Sequence, residues 1–232
     1  MFKHLKYQGV NGKLLSDNLF YYDDLESVTS DSGSRKYVTP FGKEYPSITT
    51  VLSVLSRDSI GAWKKRVGYE KAERISKRAS DRGTQVHELI EKYLDNNDTY
   101  SRGYFPHILE SLQNLKPELD KLGVIYEQEC ALYSDHLGVA GRVDCVAEYD
   151  GELAIIDFKT SSKLKKKEWI ESYFLQCTAY SIMWEEQTGI PITKLVVMIS
   201  VDGNSPQTFV EHRDNWTDKL KETIKIYGLE QG

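Results

Sequence analysis

GVAGRVDCVAEYDGELAIIDFKTS, residues Gly138–Ser161, decides the reading of this chain. Asp150-Gly151 is a two-residue hairpin turn, flanked by runs rich in β-branched and apolar residues. With those two residues as the loop, Tyr149 pairs with Glu152 and the register follows outward. It sets Asp144 opposite Asp157 and Arg142 opposite Lys159. Side chains alternate along a strand, so Lys159 shares the face of Asp157. Like charges directly opposite destabilise a sheet. Two such aspartates in an otherwise apolar hairpin point to a cation between them. Hard oxygen donors with few protein contacts suit Mg²⁺ or Mn²⁺. The lysine beside them is a group that phosphodiester hydrolysis uses. The competing reading is a surface salt-bridge cluster of Arg142, Asp144, Asp157 and Lys159. Against it, Asp157 follows the apolar run Ala154-Ile155-Ile156, where an unpaired charge is costly.

Working outward, the hairpin strands are apolar on both faces. Val143, Cys145 and Ala147 lie on one side, and Val146, Leu153 and Ile155 on the other. That predicts a central sheet covered twice. Upstream, VIYEQECALYS reads as a strand, and helices are predicted from Ile60 to about Leu94, with a second helix beginning in TQVHELIEKYL, and over Ile108 to Leu122. Further upstream, Tyr37 to Tyr45 reads as a short hairpin about Pro40-Phe41-Gly42-Lys43. Ser47 is a possible N-cap for ITTVLSVL, and residues 30–36 are a loop. Downstream, a long helix over about Glu168 to Thr188 stops at Gly189, LVVMISV is a buried strand, and Asn215 to Tyr227 is a last helix. The predicted class is α/β, one mixed sheet with flanking helices. Residues 1–36 read as a polar N-terminal extension and 37–232 as a single domain.

The net charge is -5, which argues against a general nucleic-acid binder, but the charge is unevenly spread. Arg57 to Arg82 carries nine basic residues against four acidic ones, and Lys159 to Lys167 five lysines and no acid. Either run alone is also what a solvated helix face looks like. The second abuts the carboxylate pair. There, Lys163, Lys165, Lys166 and Lys167 suit a phosphate backbone, with Arg82 from the first run as a further contact. Trp169 and Tyr173 suit stacking on unpaired bases, or burial on a helix. The three cysteines are widely spaced with no CxxC, so zinc and iron–sulfur readings are weak and free thiols in a reducing compartment are expected. No signal-peptide core and no apolar run long enough to span a bilayer is evident, so an intracellular, cytoplasmic or host-cell protein without membrane contact is expected.

Three further groups bear on the site. Gly83, His87 and Glu91 recur every four residues and share one helix face. His87 is there an additional metal ligand or a structural histidine, and Glu91 a supporting or surface group. The glycine would let another backbone approach. Gln176 and Tyr180 share a face of the helix after the hairpin, and a glutamine there needs a polar partner. Glu127 and Glu129 alternate with Tyr126 and Gln128 on a strand, and one of the two, with Glu129 as the named supporting residue, is a candidate to face the cluster as a water-mediated ligand.

GxxxH (Gly83 to His87), GxxD (Gly141 to Asp144), DFKTS (Asp157 to Ser161) and QxxxY (Gln176 to Tyr180) occur in that order. The set resembles the RecB-type nuclease domain of the PD-(D/E)xK superfamily. YPSITTVLS, WKKRVGYEKAERIS and RGTQVHELIEKYL look like the mitochondrial genome maintenance exonuclease family and its phage relatives. The resemblance covers about residues 37 to 200. It implies a restriction-endonuclease-like core and Mg²⁺-dependent DNA cleavage, with preference for single strands and free ends. It assigns metal ligation to His87, Asp144, Asp157 and the carbonyl of Phe158, catalysis to Lys159, and the lining helix to Gln176 and Tyr180. Val143 stands where the superfamily has its nominal proline. Some relatives carry a four-cysteine iron–sulfur cluster, which this chain cannot build. A structure-specific endonuclease or junction resolvase on the same site, and a non-catalytic nucleic-acid-binding module, remain open.

Overall fold

The turn at Asp150-Gly151 forms as its chemistry dictates. Both residues have positive φ, 51° and 75°, the conformation that matches the twist of a tight hairpin. The computed structural model describes residues 3–7, 24–30 and 33–231. The strands are β1 (Leu5–Lys6), β2 (Glu26–Thr29), β3 (Arg35–Val38), β4 (Glu44–Pro46), β5 (Leu122–Ser134), β6 (Val139–Tyr149), β7 (Glu152–Ser161), β8 (Lys194–Val201) and β9 (Gln207–His212). The α-helices are α1 (Ile48–Leu52), α2 (Arg57–Val67), α3 (Tyr69–Leu94), α4 (Pro106–Leu119), α5 (Glu171–Thr188) and α6 (Thr217–Gln231).

Six strands form one mixed sheet in the order β1-β5-β6-β7-β8-β9. β1 runs parallel to β5 and β7 parallel to β8, and the remaining pairs are antiparallel. The parallel step from β7 to β8 is made possible by α5, which crosses one face. Its Phe174, Leu175, Met183 and Trp184 pack with Val146, Ile155, Val197 and Ile199. The opposite face, with Cys145, Ala147, Ile156 and Met198, is covered by Leu89, Ile90 and Leu94 of α3 and by Leu112 and Leu115 of α4. Each Val, Leu, Ile, Phe or Met among them, fully buried, contributes about 1.5–3 kcal/mol. The expected double covering is therefore present. Val143 departs from it, packing in the α5 cluster rather than with Cys145 and Ala147.

One sheet was expected and there are two. β2, β3 and β4 form a separate three-stranded sheet. Its β3–β4 hairpin is the expected one, with Tyr37 opposite Tyr45 and Gly42 at a φ of 75°. Ser47 then caps α1, accepting from the Thr50 amide at 3.1 Å. β1 and β2 both fall within the segment read as an extension, and β9 was not anticipated either. Residues 31–32 of the expected loop lie outside the described residues, and β3 already begins at Arg35. Gly189 stops α5 in the left-handed conformation, as expected.

The helix boundary near Gly83 is a correction. The break falls at Gly68, whose φ of 87° ends α2, while Gly83 lies inside an unbroken α3. α3 is consequently long, and its two halves differ. From Glu73 to Asp81 every residue is exposed, whereas Val86, Leu89, Ile90, Tyr93 and Leu94 are buried. The half that carries His87 is fixed on the sheet, and the basic half projects from it. No helix among the described residues is long and apolar enough to cross a membrane.

Candidate metal centre and catalytic pair

β6 and β7 pair from Tyr149↔Glu152 to Cys145↔Ile156 and there part. The expected pairs Asp144/Asp157 and Arg142/Lys159 are not made. The Asp144 carboxylate enters the fork instead, and its Oδ2 accepts the Phe158 amide at 2.8 Å. Arg142 pairs with Ala131 on β5. An amide that would have lost its ladder partner is thereby satisfied by a charged acceptor.

On the β7 side, Asp157 is 1% exposed. Its Oδ1 accepts from Lys159 Nζ at 2.5 Å. Its Oδ2 is buried and has no hydrogen-bond partner among the described residues. Burial raises the Asp157 carboxyl, Lys159 opposes this, and Asp144 adds to it, so the net direction is upward. Burial alone would lower Lys159, but the charges of Asp157 and Asp144 outweigh it and keep the ammonium protonated. The same ammonium sits 5.2 Å from the centre of the Tyr173 ring. The surface cluster of four charges is not formed: Lys159 pairs with Asp157, while Arg142 pairs with Asp24.

On the other side, α3 delivers His87. Its Nε2 lies 2.7 Å from the carbonyl oxygen of Phe158. A carbonyl only accepts, so Nε2 carries a proton, and Nδ1, which takes the second proton of the imidazolium, faces the carboxylates. Nδ1 is 3.5 Å from Asp144 Oδ1 and 3.8 Å from Glu129 Oε1. Burial lowers the imidazole, but Asp144 and Glu129 reverse this and raise it to about 9. Glu129 faces Asp144 across the β5–β6 ladder, flanked by the pairs Gln128↔Cys145 and Cys130↔Val143. One ligand atom each of His87, Glu129 and Asp144 lie within 4.8 Å of one another. This group was only partly legible. Of Glu127 and Glu129, it is Glu129 that stands beside His87 and Asp144. Asp157 lies outside the group, and the Phe158 carbonyl is engaged by His87.

The donor set fits a divalent cation. The carboxylates of Glu129 and Asp144 are the hard oxygen donors that suit Mg²⁺ and Mn²⁺, and the imidazole of His87 is the softer member of the set. The surplus negative charge on one side of the fork and the orphaned Asp157 oxygen on the other are what a cation relieves.

The remaining expected residues divide. Gln176 donates to the Tyr180 hydroxyl at 3.3 Å, and both line the same cleft of about 600 Å³ as His87 and Asp144. Tyr180 presses on Gly141, where an added Cβ would sit 2.7 Å from its ring. That close approach explains the glycine of GxxD. Gly83 faces open space, so no backbone approaches it as expected. Glu91 lines the cleft beside Glu129, its carboxyl raised by burial and by that neighbour. Arg82 is spent within the molecule, on Asp202 and on Ser111 at 3.0 Å. Lys163 is exposed and Lys166 lies over the exposed Trp169 ring at 5.4 Å. Lys165 holds the Gln207 amide through its backbone, and Lys167 pairs with Glu211. Cys130, Cys145 and Cys177 are unpaired thiols.

Residues 102–227 match the family described as the PD-(D/E)XK nuclease superfamily. The chain is similar to mitochondrial genome maintenance exonuclease 1 of Homo sapiens, 31% identical over 154 residues, covering 58% of this chain and 42% of that protein. It is likewise similar to mitochondrial genome maintenance exonuclease 1 of Mus musculus, 30% identical over 131 residues, covering 52% and 38%. The chain thus spans less than half the length of these curated relatives. Among solved structures it is similar to a putative exonuclease from Eubacterium rectale, with a TM-score of 0.43, 13% identity and 64% of each chain covered.

Proposed function

This chain belongs to the PD-(D/E)XK nuclease superfamily, and on that premise we propose that it is a divalent-metal-dependent exonuclease of DNA, favouring single strands with free ends. The observation that carries this reading is the fork between β6 and β7. It sets a buried carboxylate–ammonium pair, Asp157 and Lys159, beside the group His87, Glu129 and Asp144. The names of the similar proteins supply the exonuclease assignment.

Asp144, Glu129 and His87 would hold Mg²⁺ or Mn²⁺, with Asp157 completing the set. The ion supplies Lewis-acid polarisation of a phosphoryl oxygen. The chain's own groups do the rest. Asp144 is locked by the Phe158 amide, so its free oxygen keeps one direction. Lys159 stays protonated against Asp157, which makes it a donor that orients water and phosphate oxygens. Tyr173 closes one side of that ammonium. Single-strand preference is supported by Trp169, 64% exposed beside Lys166, where an unpaired base has a surface to stack on. Three unpaired thiols fit a reducing intracellular compartment.

The test is incubation with 5′- and 3′-labelled linear single strands and with a circular single strand, in Mg²⁺ and in chelator. Linear strands shortened from an end only in Mg²⁺, with circles intact, are the expected result. Cut circles would replace the exonuclease by a structure-specific endonuclease. Intact linear strands in both Mg²⁺ and Mn²⁺ would end the nuclease reading.

A further inference from the structure

Glu129 stands in β5 with a φ of 47°. For a residue with a Cβ, that left-handed conformation costs about 1–2 kcal/mol. Yet the residues on either side, Gln128 and Cys130, keep their antiparallel partners Cys145 and Val143. The strain is confined to the residue whose carboxylate reaches His87, and strain of this kind persists only where the surroundings over-determine it. The Glu129 carbonyl accepts from Arg142 Nη1. The other terminal nitrogen of Arg142 donates to both carboxylate oxygens of Asp24, at 2.5 and 2.8 Å. A planar guanidinium reaches a carbonyl on one side and a carboxylate on the other, which an ammonium on a flexible stem does not reproduce.

We propose that Arg142 is a positioning residue for the metal centre: it clamps the Glu129 carbonyl and so aims the Glu129 carboxylate at His87 and Asp144. The inference rests on the metal-centre reading above. Arg142 supplies none of the three ligand atoms and acts through the backbone of β5. Asp24 holds the guanidinium from behind, which ties the N-terminal segment to the site.

The test uses the DNA-free protein and two readouts, Mn²⁺ affinity by titration calorimetry and amide hydrogen exchange along β5. Arg142→Gln is expected to weaken Mn²⁺ binding about 10-fold or more, the range for a residue that orients a ligand. It is also expected to speed exchange over residues 128–131 while leaving the β6–β7 hairpin unchanged. Arg142→Lys is expected to fall between. On a Glu129→Ala background, Arg142→Gln should weaken Mn²⁺ no further. Unchanged affinity with unchanged exchange overturns the proposal, and so does full additivity in the double variant. If Arg142→Gln fails to fold, the same comparison with Arg142→Lys decides, with wild-type affinity overturning the proposal. A wild-type chain that binds no Mn²⁺ ends the metal-centre reading and, with it, this role for Arg142. Exchange over 128–131 then tells separately whether Arg142 holds Glu129.

Discussion

The two flanks of the fork between β6 and β7 carry charge in opposite ways. On β7, Asp157 is sealed from solvent and balanced by the ammonium of Lys159. Across the fork, Glu129 and Asp144 line one cleft, and among the described residues His87 lies 3.8 and 3.5 Å from their carboxylates. The first flank is a charge-balanced pair that keeps one carboxylate oxygen unpartnered among the described residues, and the second is a surplus. A pair of fixed polarity suits donation to a reacting group, whereas a surplus suits a cation. The division of labour proposed for the two flanks rests on burial and on where the ladder stops.

The charge-balanced pair is where the largest effect is expected. Asp157→Ala strips Lys159 of its partner and should lower cleavage of an end-labelled strand by about 10⁴-fold, the top of the range for one positioned group. Full cleavage by this variant in Mg²⁺ would defeat the proposed chemistry. Lys159→Ala should cost about 10²–10³-fold in turnover while leaving Mn²⁺ affinity near wild type, which calorimetry reads directly. Loss of Mn²⁺ binding would merge the two flanks into one function.

The surplus flank is exposed by pH. In the metal-free chain His87 holds its proton to about 9, against 6.5 ordinarily. A raised value contributes stability that is complete below pH 6.5 and is lost as pH rises through 9. The whole effect is at most about 3 kcal/mol. Urea melts between pH 6 and 10 should show this decline, and His87→Gln should flatten it. A wild-type profile without slope would mean that the carboxylates do not hold the proton.

The two motif glycines sharpen the contrast between packed and open sides of the cleft. Gly141→Ala drives a methyl into Tyr180 and should cost about 1–3 kcal/mol. Gly83→Ala, helical and facing open space, should instead stabilise by about 0.5–1 kcal/mol. Denaturation midpoints of the two variants moving in the same direction would contradict the packing described. The smallest expected effect is electrostatic. Lys163→Gln should reduce the slope of log affinity for single strands against log salt by about 0.7. Lys167→Gln, already paired with Glu211, should reduce it less.

How far the sequence carried depends on how local the determinant is. The turn at Asp150-Gly151, the Ser47 cap and the Gly189 stop were all legible, because each is a few residues whose dihedral needs are met on the spot. The register outward from Tyr149↔Glu152 was right for as long as the ladder lasted. It failed at Asp144, because a side chain that takes over a backbone amide leaves no periodic trace. Gly68 and Gly83 look alike in one dimension, and only the backbone angle distinguishes the break from the continuous helix. Glu129 is a further case: its backbone is left-handed and its carbonyl accepts from Arg142 on another strand, a contact that strand alternation cannot foresee. β1 and β2 escaped notice because they are short and mostly exposed.

The parallel register of β7 on β8 has one more consequence, for the order of assembly. β6 and β7 are joined by two residues and can zip together early, whereas β8 must wait until α5 has crossed over. The site draws on α3, β5, β6 and β7; the three strands pair with one another directly, whereas α3 packs in a cluster that includes Val196 and Met198 of β8. On the proposed function, a nascent or partly unfolded chain carries the same side chains without their arrangement and is expected not to cleave.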